Sequence, residues 1–219
     1  MMIEKITRVC ELLEAEYGKP EWVIHHPPLD EFVLTILSQN TTSVNCRRAF
    51  DNLRVTFPTW DDVRTAAVDE IAESIRAGGL ADVKAARIKS ALQRIYDQRG
   101  ELDLSWLKSL SMDEAARYLM EFEGVGPKTA ACVLLFSLRQ PAFPVDTHVH
   151  RIALRLGIIP PNTNAETAHV LLQKIVPEQQ VYSFHMNMVG HGRRVCRPSS
   201  PKCDTCVLNR ECDFARKHS

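Results

Sequence analysis

Apolar residues recur at helical spacing along almost the whole chain, and polar breaks cut them into segments of helix length. Residues 3–17 set Ile3, Ile6, Val9, Cys10 and Leu13 on one face, the i, i+3, i+4 pattern of an amphipathic helix. HHPPLD at 25–30 interrupts it, and Asp30 is placed to cap a second helix that starts EFVLTIL. That helix carries Phe32, Val33, Ile36 and Leu37, then stops at SQNTTS. Such small polar side chains compete for backbone hydrogen bonds, so the segment reads as a corner between helices or, equally, a plain surface turn. SVNCRRAFDNLRVTF continues as helix, and DDVRTAAVDEIAESIRAGG reads as one helical region capped by Gly78–Gly79. Leu80 follows, exposed on a tight turn, before ADVKAARIKSALQRIYDQRG. Ser111 suits the cap of SMDEAARYLMEF, and Ala130, Val133, Leu134 and Leu138 give the next helix its inward face. No segment alternates as a strand would, and no repeat period emerges. The pattern predicts an all-α protein of about ten helices.

Composition changes this picture little. The 219 residues are 45% hydrophobic and 25% charged, ordinary for a globular chain able to bury a sizeable core. No apolar run reaches membrane-spanning length and the opening residues lack a signal-peptide core, so an intracellular protein is expected. Net charge is zero, which does not advertise a nucleic-acid binder. Its distribution is uneven: residues 186–219 hold seven Lys/Arg against three Asp/Glu, and 82–99 hold five against two. Local basic surface is available, although many such runs are only solvated faces.

Two stretches carry candidate chemistry. In EGVGPKTA, Gly124 and Gly126 bracket a turn too tight for side chains, and outward amides at a helix start suit a phosphate. Pro127 fits the first helical position, and Lys128 lands in the first turn, where the helix dipole disfavours a cation. Eighteen residues later, PAFPVDTH brings Asp146 to the start of another helix, which it is placed to cap. A lone GxG is a weak signal and a lone lysine is usually solvated; their combination with Asp146 is what points to amine chemistry. The second stretch holds Cys196, Cys203, Cys206 and Cys212, spaced C-x6-C-x2-C-x5-C in a segment too polar to build its own core. Four thiolates so placed suit a four-cysteine zinc site or an iron–sulfur cluster, with zinc slightly favoured by the C-x2-C pair alone. Cys10, Cys46 and Cys132 sit on apolar helical stretches and read as small core residues.

GVGPKTA at 124–130, VDTH at 145–148 and the cysteine spacing together resemble the endonuclease III family of helix-hairpin-helix DNA glycosylases. The resemblance extends over nearly the whole chain. It implies a two-domain all-α fold: a six-helix barrel at 25–138 containing the hairpin, an iron–sulfur domain from 1–24 with 139–219, and a cleft between them. It implies a bifunctional DNA glycosylase with DNA-(apurinic or apyrimidinic site) lyase activity, acting in base excision repair on damaged, by family default oxidised, pyrimidines. Lys128 would be the nucleophile and Asp146 its carboxylate partner. Gln39 and Asn40 would fill the space left by an extruded base, Leu80 would wedge into the stack, and Gly124, Gly126, His148, Arg151, Arg197 and Lys202 would meet phosphates. The four cysteines would hold a 4Fe–4S cluster stiffening a basic loop. The implied partner is double-stranded DNA containing a damaged base or abasic site. A monomer in the prokaryotic cytoplasm, nucleoid-associated and without membrane contact, is expected.

The sequence also departs from the family. Asn40 stands for its usual glutamine, Ser43 for a frequent acid, and Phe122–Glu123 for Leu-Pro, which brings a carboxylate to the hairpin. Pro127 replaces an often basic residue. Two alternatives stand beside the main reading. One is a monofunctional glycosylase for uracil, thymine mismatches or adenine mispairs, which Lys128 disfavours. The other is a non-catalytic iron–sulfur DNA-binding protein.

Overall fold

A computed structural model describes residues 2–218, and every regular element among them is helical: twelve α-helices joined by loops and five short 3₁₀ turns. Of the two helices beyond the expected ten, one is the short α12 at Asp213–His218 and the other has a local cause. The region 60–78 is not one helix but α4 (Trp60–Thr65), α5 (Val68–Ser74) and a 3₁₀ turn at Arg76–Gly78. Ala66 is extended, and the Glu70 carboxylate accepts from the Ala67 amide at 2.9 Å, so a new helix starts where alanines give no periodicity to read. No described helix is long and apolar enough to cross a membrane.

The chain forms two compact units, Ile24–Gln140, and Met1–Val23 with Pro141–Ser219. Residues 1 and 219 of the second unit, and of the expected iron–sulfur domain, lie outside the described residues. In the Ile24–Gln140 unit, α2 (Pro28–Leu37) and α8 (Pro127–Ser137) are buried on nearly all sides and pack on each other. A helix apolar all round has to be central, and these two are. Around them stand α3 (Ser43–Thr56), α4, α5, α6 (Ala81–Arg99) and α7 (Met112–Met120). Ser111 caps α7 as expected, its hydroxyl accepting from the Glu114 amide. Asp30 does not cap α2, because Pro28 already starts that helix without needing an amide partner. Its carboxylate instead accepts the Trp60 indole N–H at 2.8 Å.

The other unit comprises α1 (Met2–Tyr17), α9 (Thr147–Leu156), α10 (Ala165–Ile175), α11 (Val181–Arg194) and α12 (Asp213–His218). Both α1 and α9 pack on α11, and Phe143 stacks on Phe184 at 5.7 Å. Gly157 ends α9 at φ +70, and a Cβ there would meet an Asp213 carboxylate oxygen at 2.0 Å. Only glycine lets the start of α12 come this close. Cys10, Cys46 and Cys132 are buried in their units.

Candidate catalytic hairpin and cysteine site

The hairpin is anchored by an aromatic column. Phe122 is buried, its ring 5.2 Å from Phe32 and 5.4 Å from Tyr118, so the family's smaller leucine has been replaced by a side chain with more to pack against. From that anchor the chain turns with Gly124 at φ +75, where a Cβ would lie 2.7 Å from the Arg87 guanidinium carbon. Gly124 is therefore required twice, by conformation and by the arginine against it. Arg87 Nε stands 3.5 Å from the Glu123 carboxylate, offsetting the negative charge that this sequence brings to the hairpin. Gly126 is the N-cap of α8 with Pro127 at the first turn, leaving its amide end open. Lys128, in that first turn, is half-buried.

Glu31, on α2, is a residue that sequence reasoning missed. An acid in a first turn looks like a surface residue, yet Glu31 is 7% exposed. Burial pushes its carboxyl up to about 7, while the Thr35 hydroxyl and then the positive charges of Lys128 and Arg47 pull the other way. A protonatable carboxyl thus lies within electrostatic reach of the lysine. Nothing in the spacing of the sequence announced it.

The polar corner and the Leu80 turn belong to the same unit as the hairpin. Gln39 donates from Nε2 to the Gly124 carbonyl at 2.9 Å, which joins corner and hairpin directly. Asn40 is exposed, and Leu80 is 56% exposed. Both adopt left-handed backbone, at φ +51 and +50.

Asp146 belongs to the other unit. It caps α9, Oδ1 accepting from the amides of His148 at 2.9 Å and Val149 at 2.8 Å. This fixes the carboxylate and leaves Oδ2 clear of the cap. Arg151, one turn on, is engaged within the protein: its guanidinium donates to the carbonyls of Cys196 at 2.8 Å and Gly192 at 3.0 Å, and to His148 Nδ1 at 3.0 Å. Arg151 and His148 therefore brace the cysteine loop against α9.

Cys196, Cys203, Cys206 and Cys212 all line one small cavity. Among the described residues, no three His, Cys, Asp or Glu side chains are arranged to hold a metal ion. The surroundings of the sulfurs are those a thiolate needs. Arg155, which carries no signal in the sequence, donates to Cys196 Sγ at 3.3 Å. His191, 1% exposed, has Nε2 3.4 Å from Cys206 Sγ and Nδ1 2.9 Å from the Tyr17 hydroxyl. With a thiolate at 206, Nε2–H donates to sulfur and Nδ1 accepts from tyrosine. Burial, and then Arg194, hold the imidazole down to about 4, so it is a neutral relay. Burial also pushes the Cys206 thiol up to about 11. Deprotonation there needs a cation to accept the sulfur, and four cysteines lining one cavity, with N–H groups beside two of the sulfurs, have the donor chemistry of a thiolate-bound inorganic group. Arg197 and Lys202 are exposed on the same loop.

Comparison with known proteins then places the chain. A profile of the HhH-GPD superfamily base excision DNA repair proteins matches residues 33–178. The chain belongs to the HhH-GPD superfamily. This HhH-GPD chain is 32% identical over 196 residues to endonuclease III of Thermotoga maritima, covering 88% of itself and 87% of that protein. It is 35% identical over 170 residues to the DNA glycosylase/AP lyase ROS1 of Arabidopsis thaliana, 70% of this chain. It spans only 12% of ROS1 and 56% of another relative from the same plant. An endonuclease III trapped as a covalent intermediate with DNA superimposes with a TM-score of 0.84 at 26% identity, covering 99% of this chain and 98% of that one. The 122–128 turn lies within the matched span, and the fold is that of endonuclease III.

Proposed function

We propose that the chain is a bifunctional DNA glycosylase/AP lyase that removes oxidised pyrimidines from duplex DNA. The observation that carries this reading is Lys128 itself, an amine half-buried in the first turn of α8 at its open amide end, where the helix dipole disfavours a cation. Lys128 attacks C1′ of the flipped nucleotide as the N-glycosidic bond breaks, and the base leaves with the bonding electrons. Asp146, held by its two amide bonds, stabilises positive charge developing on the sugar. The attacking amine gives up a proton and the C1′–O4′ bond opens, O4′ taking a proton, which leaves a Schiff base; this acidifies C2′, loss of a C2′ proton expels the 3′ phosphate, and hydrolysis frees the lysine. The hairpin amides hold a backbone phosphate without reading sequence. Gln39 and Asn40 fill the vacated space and Leu80 wedges the stack, unstacking being the cost of extracting a base. His148, Arg197 and Lys202 are assigned to phosphates; Arg151 is assigned first to the loop it braces.

The cysteines are proposed to hold a 4Fe–4S cluster. Bound there, it orders the loop and presents Arg197 and Lys202, and no catalytic step passes through it. Borohydride trapping on duplex DNA with an abasic site tests the reading. Wild type is expected to form a covalent adduct and Lys128→Gln none; an undiminished adduct in the variant removes the lysine from its role.

A further inference from the structure

Lys84 is 1% exposed, the largest charged side chain so buried among the described residues. Its ammonium donates to two backbone carbonyls, Leu37 at 2.8 Å and Gly78 at 2.9 Å. These acceptors are not arbitrary. Leu37 is the last residue of α2, immediately before the 38–42 corner. Gly78 is the last residue of the 3₁₀ turn, two positions before Leu80. Both carbonyls are helix-end oxygens without a partner in their own helix, the negative end of a dipole where a cation is favoured.

The two segments joined in this way share a second property. Asn40 and Leu80 are non-glycine residues in left-handed backbone and project into solvent. Such a conformation persists only where the surroundings over-determine it. Lys84 supplies part of that determination from beneath, and Gln39, bonded to Gly124, adds a link from the corner to the hairpin. Gly78 allows the close approach, since a Cβ there would sit 3.0 Å from Ala49 Cβ and 4.0 Å from the ammonium. An apolar residue at 84 would fill the volume without the desolvation of a charge, but it would leave both carbonyls without a donor. Burial holds the Lys84 ammonium below the usual lysine range.

We infer that Lys84 is a positioning residue that locks the 38–42 corner and the Leu80 turn into one fixed register, so that both enter the duplex as a preformed pair. The inference rests on the glycosylase reading above. Lys84 touches no reacting atom: it acts through the backbone carbonyls of Leu37 and Gly78, two or three residues before those assigned to DNA. Its loss is therefore expected to harm the step that extracts a stacked base more than the step that acts on a site already lacking one.

The test compares full-length wild type, Lys84→Met and a core control, Leu92→Ala on the same helix, below the melting temperature of each. One duplex carries thymine glycol opposite 2-aminopurine and a second carries a preformed abasic site. For Lys84→Met, single-turnover excision of thymine glycol is expected to fall by about tenfold or more, with a smaller 2-aminopurine fluorescence rise. Cleavage at the abasic site is expected to stay within about threefold of wild type. Leu92→Ala should show no such split. If Lys84→Met does not fold, Gly78→Ala, which presses on Ala49 beside the same carbonyl, gives the same split in weaker form. Equal losses on both duplexes, or no loss on either, would overturn the inference while leaving the wild-type activity, and so the glycosylase reading, standing. A wild type inactive on both duplexes would sink the two together.

Discussion

Asp146→Asn is expected to slow base excision by about 10²- to 10⁴-fold, the range that a positioned acid–base group contributes. The substitution separates the two roles of the side chain. Asparagine caps helices as well as aspartate does, and its oxygen can accept from the His148 and Val149 amides as Oδ1 does now. What disappears is the negative charge, so stability should change by no more than about 1 kcal/mol, the size of a helix-dipole contribution. Single-turnover excision of thymine glycol, with a thermal melt of the same sample, reads both effects. Normal excision by the variant would reduce Asp146 to a cap.

The second large effect is expected at the cysteine loop. Residues 196–212 contain only two 3₁₀ turns, and few of their side chains are buried. The loop is held to α9 by Arg151 and Arg155, and partial burial pushes the Cys206 thiol up to about 11. Cys206→Ser replaces the sulfur that His191 Nε2 contacts, one of the four proposed ligands. The variant is expected to purify with little iron and sulfide, and to melt about 10 °C lower, as several kcal/mol would give for a chain of this size. Iron content equal to wild type would remove Cys206 from the ligand set. Metal uptake should release protons and so strengthen as pH rises, because the Cys206 thiol lies above its ordinary range.

The sequence made some of this legible and hid the rest, for physical reasons. Helix faces such as Ile6, Val9 and Leu13 were readable because burial follows the 3.6-residue period. The caps at Ser111 and Asp146 were readable because capping is local, a side chain reaching two or three residues ahead. Asp30 failed as a cap because Pro28 starts the helix two residues earlier, and its carboxylate is taken up by Trp60, 30 residues away. Lys84 and Arg155 carry no signal in the sequence and Arg151 reads as a phosphate contact, yet all three point inward to backbone carbonyls. Their acceptors are distant in sequence, so no spacing rule could find them. Glu31 was hidden in the same way, since only packing of α2 against α8 makes an ordinary glutamate a buried one.

The chemistry turns on which amine becomes bonded to the sugar. Wild-type protein trapped with borohydride on an abasic duplex, digested and mapped by mass spectrometry, answers this without a mutant. The reduced deoxyribose is expected on the peptide carrying Lys128. Its appearance on the terminal amine or on another lysine would contradict the assignment.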